Sequence, residues 1–444
     1  MKTPIKTLLK PLSLALFVAA TLPTQNACNR TSPPFCKAIG GANHDEGQFL
    51  IQTSDGGYAI TGTTTSFGAR EWDVYVVKLD ATGNLQWTKT IGGLGYDGGS
   101  SLIQTSDGGY AITGLTQSFG TGEDDVYVVK LDVNGNLQWN RTIGGKKEDW
   151  GSLLIQTSDG GYAIAGTTTS FGAGEADIYL VKLDGNGNLQ WTRTIGGPKS
   201  DEGYSLIQTS DGGYAIAGDT KSFGAGEADV YVVKLDASGN LQWTKTIGGP
   251  ASEEGNSLIQ TADGGYAIAG STKSFGAGRE DVYVVKLDAN GNLQWTKTIG
   301  GPKGDEGYSL IQTSDGGYAI TGESSSFGAG KADVYVIKLD AKGNLQWTKT
   351  IGGPDSEEGV YLIQTSDGGY AIAGYTESFG AGGKDVYVIK LDKNGDACCA
   401  VSQTSQVGAG GTLSSPISSI GSGGTLSSPI PSTSSGGTLT TLCP

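Results

Sequence analysis

The chain has 444 residues, of which 75 are glycine and only 17% are charged, and its formal net charge is −15. A surface this acidic repels phosphate backbones and anionic lipid, which excludes nucleic acid as a partner and leaves cations, basic proteins and neutral sugars. Short bursts of Val, Ile, Thr, Tyr and Trp between glycine-rich turns predict an all-β fold.

The N-terminus reads as a secretory signal peptide over residues 1–20. Lys2, Lys6 and Lys10 precede an apolar run, Leu14 to Ala20, that is too short to span a bilayer, and Val18-Ala19-Ala20 offers a cleavage site. A linker over 21–34 comes next. No other segment is long and apolar enough to be an integral membrane segment, so the expected location is secreted or cell surface, extracellular or periplasmic. Cys28, Cys36, Cys398, Cys399 and Cys443 are the five cysteines, and in an exported chain they are expected to oxidise, with one thiol left over. Cys28 after Gln25-Asn26-Ala27 leaves a lipid-modified terminus open.

From residue 35 to 399 the chain is an array, and its cysteines, Cys36, Cys398 and Cys399, stand only at the two ends of it, outside the body of the repeats. Asp-Gly-Gly-Tyr begins at Asp55, Asp107, Asp159, Asp211, Asp263, Asp315 and Asp367, always at the same step of 52 residues. In the fourth copy, GYSLIQT (203–209) and YAIAGDT (214–220) flank a Ser-Asp-Gly-Gly turn, a β-hairpin signature. The run DVYVVKL (229–235) is a third strand, Asp236 to Asn240 a turn, and LQWTKTI (241–247) a fourth. Four antiparallel strands, here called A to D, in about 50 residues is the proportion of a propeller blade. The expected fold is therefore a seven-bladed β-propeller. Trp87, Trp139, Trp191, Trp243, Trp295 and Trp347 are its apolar anchors between blades.

The seventh copy lacks its fourth strand, because Cys399 stands where the register calls for tryptophan. Phe35 falls 52 residues before Trp87, and Phe35-Cys36-Lys37-Ala38-Ile39-Gly40-Gly41 matches Trp-Thr-Lys-Thr-Ile-Gly-Gly, so the N-terminal strand is expected to complete the last blade. A bridge from Cys36 to Cys398 or Cys399 would lock that closure. Beyond it, residues 400–444 carry three units with a 13-residue step, at Gly410, Gly423 and Gly436, rich in Ser, Gly, Thr and Pro. Such a composition cannot bury a core of its own and predicts a disordered tail.

Trp-Thr-Lys-Thr-Ile-Gly-Gly, an acidic residue before glycine, Asp-Gly-Gly-Tyr, Gly-x-Thr and Asp-x-Tyr-Val-x-Lys-Leu-Asp together resemble the bacterial and archaeal surface β-propeller repeat of the SBBP type, over about Phe35 to Asp396. The hairpin Lys-Leu-Asp-x-x-Gly-Asn-Leu-Gln-Trp is also similar to the tryptophan-docking hairpin of quinoprotein-type propellers. The resemblance implies a fold and a surface location, and no catalytic residues.

Candidate sites lie on the face shared by the D-to-A and B-to-C loops. Asp45, Asp97, Asp149, Asp201, Glu253, Asp305 and Glu357 hold one register of the D-to-A loop, and Asp73, Asp125, Asp177, Asp229, Asp281, Asp333 and Asp385 begin strand C. Two readings of these carboxylates stay open: a ring of Ca²⁺ ligands, or acceptors for backbone N–H groups. No other cofactor is expected. Trp72, Tyr96 and Trp150, with His44, break the repeat on that face and form a candidate binding patch for a glycan or an extracellular protein. Near-identical blades do not converge different groups on one point, so a monomeric, non-catalytic binding or scaffold protein is expected. The alternatives are a channel-centred enzyme (a hydrolase or lyase, or a cofactor-dependent oxidoreductase) and a structural spacer.

Overall fold

The structure, a computed structural model, describes residues 33–69 and 71–397 and, beyond them, the backbone of seven short strands between 400 and 441. The expected signal peptide, the linker up to Ser32, and Cys28, Cys398, Cys399 and Cys443 lie outside the described residues.

Each 52-residue unit forms the four strands that its alternation predicts. In the fourth blade, A is Asp201–Gln208, B is Tyr214–Thr220, C is Asp229–Leu235 and D is Leu241–Gly248, paired antiparallel in that order. Strands B and C are buried on both faces, as sheets stacked between neighbours must be. Seven such sheets close into a propeller. In the last blade, strand C (Asp385–Leu391) takes the N-terminal Phe35–Gly40 as its fourth strand, with Cys36 opposite Ile389 and Ile39 opposite Val386. The N-terminal closure read from the register is therefore the closure observed.

Two sets of contacts join the blades. On one side, the backbone N–H of each A-to-B turn donates to a glutamine of the next blade: Ser54 to Gln104 Oε1 at 2.8 Å, Ser210 to Gln260 at 2.9 Å, and finally Ser366 to Gln52 at 2.9 Å, across the closure. Further out, each strand D aromatic meets the next blade edge-on. Trp87 lies 5.8 Å from Tyr110 at 72°, and Phe35 lies 5.9 Å from Tyr58 at 74°, so Phe35 occupies the seventh tryptophan's place. Each ring also rests on the glycine of the next C-to-D turn. A Cβ on Gly135, whose φ is 75°, would stand 3.0 Å from the Trp87 ring, so this glycine answers both to the turn and to the approach.

The tail departs from expectation. Seven strands, Ala400–Gln403, Gln406–Gly408, Thr412–Ser414, Ser419–Gly421, Thr425–Ser427, Ser432–Ser434 and Thr438–Thr441, add to the outer edges of strand D in blades 6, 5, 4, 3, 2, 1 and 7, all antiparallel. The composition argument against structure assumed that order needs a core. A strand added to an existing edge needs only backbone hydrogen bonds, which Ser, Gly and Thr supply as well as any residue.

Candidate functional site

The acidic register shapes the face. Asp45 and its six counterparts are fully buried. Each accepts the N–H of the glycine four residues before it: Gly41 to Asp45 at 2.6 Å, Gly197 to Asp201 at 2.6 Å, Gly353 to Glu357 at 2.7 Å. Asp45 also accepts the hydroxyls of Thr64 and of Ser66, the latter at 2.7 Å. The second register works similarly, with Ala69 N–H donating to Asp73 at 2.8 Å. At every junction one carboxylate of each register flanks the glycine that ends strand D: a Cβ on Gly196 would stand 2.0 Å from Asp177 Oδ1 and 2.8 Å from Asp201 Oδ2. Crowding has an electrostatic result. Burial pushes the Asp73 carboxyl up to about 6, with Asp97 adding to the rise against the Ala69 hydrogen bond. The carboxylates meet in twos, and among the described residues no three His, Cys, Asp or Glu side chains are grouped to hold a metal ion.

Of the four rim residues singled out from sequence, three come together. His44 stacks on Trp72 (centroids 6.2 Å apart, 23° between planes), and Trp72 meets Tyr96 at 6.2 Å and 45°. The row is built by the loops. Trp72 C=O accepts Asp97 N–H at 2.7 Å, which ties the B-to-C loop of blade 1 to the D-to-A loop that carries Tyr96. His44 lies over Gly383, where a Cβ would be 2.4 Å from its ring, and its Nδ1 accepts the Lys384 N–H at 3.2 Å. At the position of Gly383 every other blade carries Glu, Arg or Lys. Leu94, 73% exposed, stands on the same loop as Tyr96 and was not singled out. Trp150 stands apart from these rings, half-buried at the start of strand A of blade 3.

Sequence reasoning allowed for a channel but named none of the residues that line it. Strands A enclose a cavity of about 650 Å³ lined by isoleucines and by the variable residues Gln48, Ser100, Ser152, Tyr204, Asn256, Tyr308 and Val360. Two residues before that register stand Glu46, Glu202, Glu254, Glu306 and Glu358 in five blades. Tyr204 O–H donates to Glu202 at 3.0 Å and Tyr308 O–H to Glu306 at 3.0 Å. Burial pushes Asp219 up to about 7, Tyr204 opposing and Glu202 and Glu254 adding to the rise; burial and then Glu358 and Glu306 do the same for Glu323, also to about 7. Lys384 closes the rim of blade 7, bonded to Glu46 at 2.9 Å with its ammonium 3.8 Å from the Tyr375 ring centroid. The lining residues and the strand B carboxyls fall on registers that change from blade to blade, so no repeated phrase marks them.

Fold and face define a β-propeller whose loops present an aromatic row beside an acidic channel mouth. Residues 220–373 match the model of the family described as outer membrane protein assembly factor BamB. A relative, the regulatory protein FlaEY of Caulobacter vibrioides, is 28% identical over 258 residues, 54% of this chain and 25% of that protein, so the chain spans about a quarter of the relative's length. Among solved structures, the WD40 domain of Neurospora crassa Pan2 is 13% identical, covering 78% of this chain and 88% of that one at a TM-score of 0.49. Sqt1 from Chaetomium thermophilum is 11% identical, covering 80% and 98% at 0.45. None of these likenesses identifies a ligand.

Proposed function

We propose that this is an exported, non-catalytic binding propeller of the SBBP repeat type, and that its recognition face is the one bearing the D-to-A and B-to-C loops. The observation that carries this reading is the row His44, Trp72 and Tyr96, three repeat-breaking rings from three loops in mutual contact at a partly exposed rim. An aromatic platform with carboxylates nearby suits a saccharide, whose apolar face stacks while its hydroxyls donate to Glu and Asp; an extracellular protein is the other ligand class. Closure of the ring by a Cys36 disulfide to Cys398 or Cys399 belongs to the same reading, supported by the burial of Cys36 and by its not being a free thiol. Screening the chain from Thr21 onward against a broad saccharide array decides the ligand class: saccharide binding is expected, and silence across the array shifts the ligand to a protein.

One observation favours a second reading, a channel-centred hydrolase. Asp219 and Glu323 stand on strand B opposite Glu202 and Glu306 of strand A, and burial with neighbouring carboxylates pushes them up to about 7, a range in which a carboxyl donates a proton at neutral pH. Release of sugar or acid from any glycoside or ester substrate, lost in Glu323→Gln, would establish it.

A further inference from the structure

The tail's 13-residue step and the blade spacing are the same quantity. In the backbone register, Val407, Leu413, Ile420, Leu426, Thr433 and Leu439 stand opposite the isoleucine of strand D in six successive blades, from blade 5 round to blade 7. Those positions are 6, 7, 6, 7 and 6 residues apart, so one 13-residue unit covers two blades. Six or seven extended residues reach about 20–25 Å, enough to pass from the edge of one sheet to the edge of the next. Five of the six positions hold an aliphatic residue; between 406 and 441 the other large aliphatic residues are Ile417 and Ile430, which follow prolines between the strands.

We propose that the outer edge of each blade is a binding site for an extended peptide of the Thr-Leu-Ser kind, and that the tail is a strand donor made of interchangeable two-blade modules that fills these sites in its own chain. An uncovered propeller would present seven outer edge strands, each with a row of unpaired N–H and C=O groups, which is a template for pairing with other chains. Strand addition takes its affinity from the backbone and its selectivity from alternate side chains, and a near-uniform edge repeated seven times is matched by a near-uniform donor. The donor runs against the chain order of the blades, from blade 6 down to blade 1, and ends on blade 7 beside Phe35–Gly40, the strand that closes the ring.

Hydrogen exchange on the full chain tests this. Strand D amides of all seven blades are expected to be protected, and Thr412→Pro with Leu413→Pro, which removes a ladder N–H whichever of the two is bonded, is expected to speed exchange at least tenfold within 244–248 and leave other blades unchanged. Deleting Gly410–Ser422 is the sharper test. Interchangeable modules would move up, so blades 3 and 4 stay protected and the last two edges, Leu85–Gly92 and Phe35–Gly40, become exposed. Loss at blades 3 and 4 instead would overturn interchangeability. Wild-type edges exchanging as free strands, or protection that falls on dilution because a second copy supplies the tail, would overturn the proposal.

Discussion

At the scale of single residues, most of the repeat's invariant polar positions are explained by one another. The lysine of Val-Lys-Leu is buried: Lys234, 3% exposed, binds Asp211 of the Asp-Gly-Gly-Tyr turn at 2.9 Å and donates to Leu235 C=O at 2.9 Å. Two phrases far apart in the unit thus form a single ion pair, repeated seven times. Asp159 in the third blade is held down to about 2, first by the Thr157 hydroxyl and then, against burial, by Gly161 N–H and Lys182. A depressed carboxyl stabilises the fold above its unfolded value near 3.9, and that stability is lost as pH falls toward 2. Asp73, Asp219 and Glu323 have the opposite sign. Raised to about 6, 7 and 7, they favour the fold while protonated and lose that contribution as pH rises from about 4 to 7. The melting temperature is therefore expected to peak in mild acid and decline toward neutrality, with Asp219→Asn reducing the decline; a calorimetric pH series checks this, and a monotonic rise from pH 4 to 7 would contradict it. The acidic registers were legible in sequence as two open readings. The structure adds the glycine four residues upstream, whose N–H reaches each carboxylate, a partner that one sequence does not reveal.

At the scale of elements, the closing strand carries the most consequence per residue. Phe35, 5% exposed, packs among residues of blades 7 and 1, and Phe35→Ala is expected to cost about 3–5 kcal/mol in guanidinium unfolding. A matched Trp191→Ala at an ordinary junction calibrates it. At the turn beneath Trp191, Gly239 has a φ of 76° and a Cβ there would stand 2.9 Å from the ring, so Gly239→Ala combines a left-handed penalty of about 1–2 kcal/mol with displacement of the tryptophan. Loss of stability together with a shifted tryptophan emission is the expected result. Strand boundaries and the closure were legible because the 52-residue register is unbroken and Phe35 falls on it. The tail strands were not, since a segment that borrows its partner leaves no amphipathic period of its own; only the 13-residue step hinted at something to count against.

At the scale of the whole molecule, seven near-identical blades make a closed ring, and the proposed recognition face lies where they differ. The rim of blades 7, 1 and 2 was partly readable: His44, Trp72 and Tyr96 are departures from register whose loops must share a face. Their contact depends on Gly383, 339 residues beyond His44 in the chain and brought beside it only by closure. The strand B carboxyls Asp219 and Glu323 were unreadable for a similar reason, since they face glutamates of their own and the next blade and gain their character only in the ring. The measurement that tests the account most directly is binding of the saccharide or protein ligand by wild type, Trp72→Ala, and, as a folded control, Val133→Ala at an exposed position of a C-to-D turn. Affinity lost at least tenfold in Trp72→Ala alone is the predicted result. Equal binding by Trp72→Ala and wild type would contradict the assignment of the recognition face.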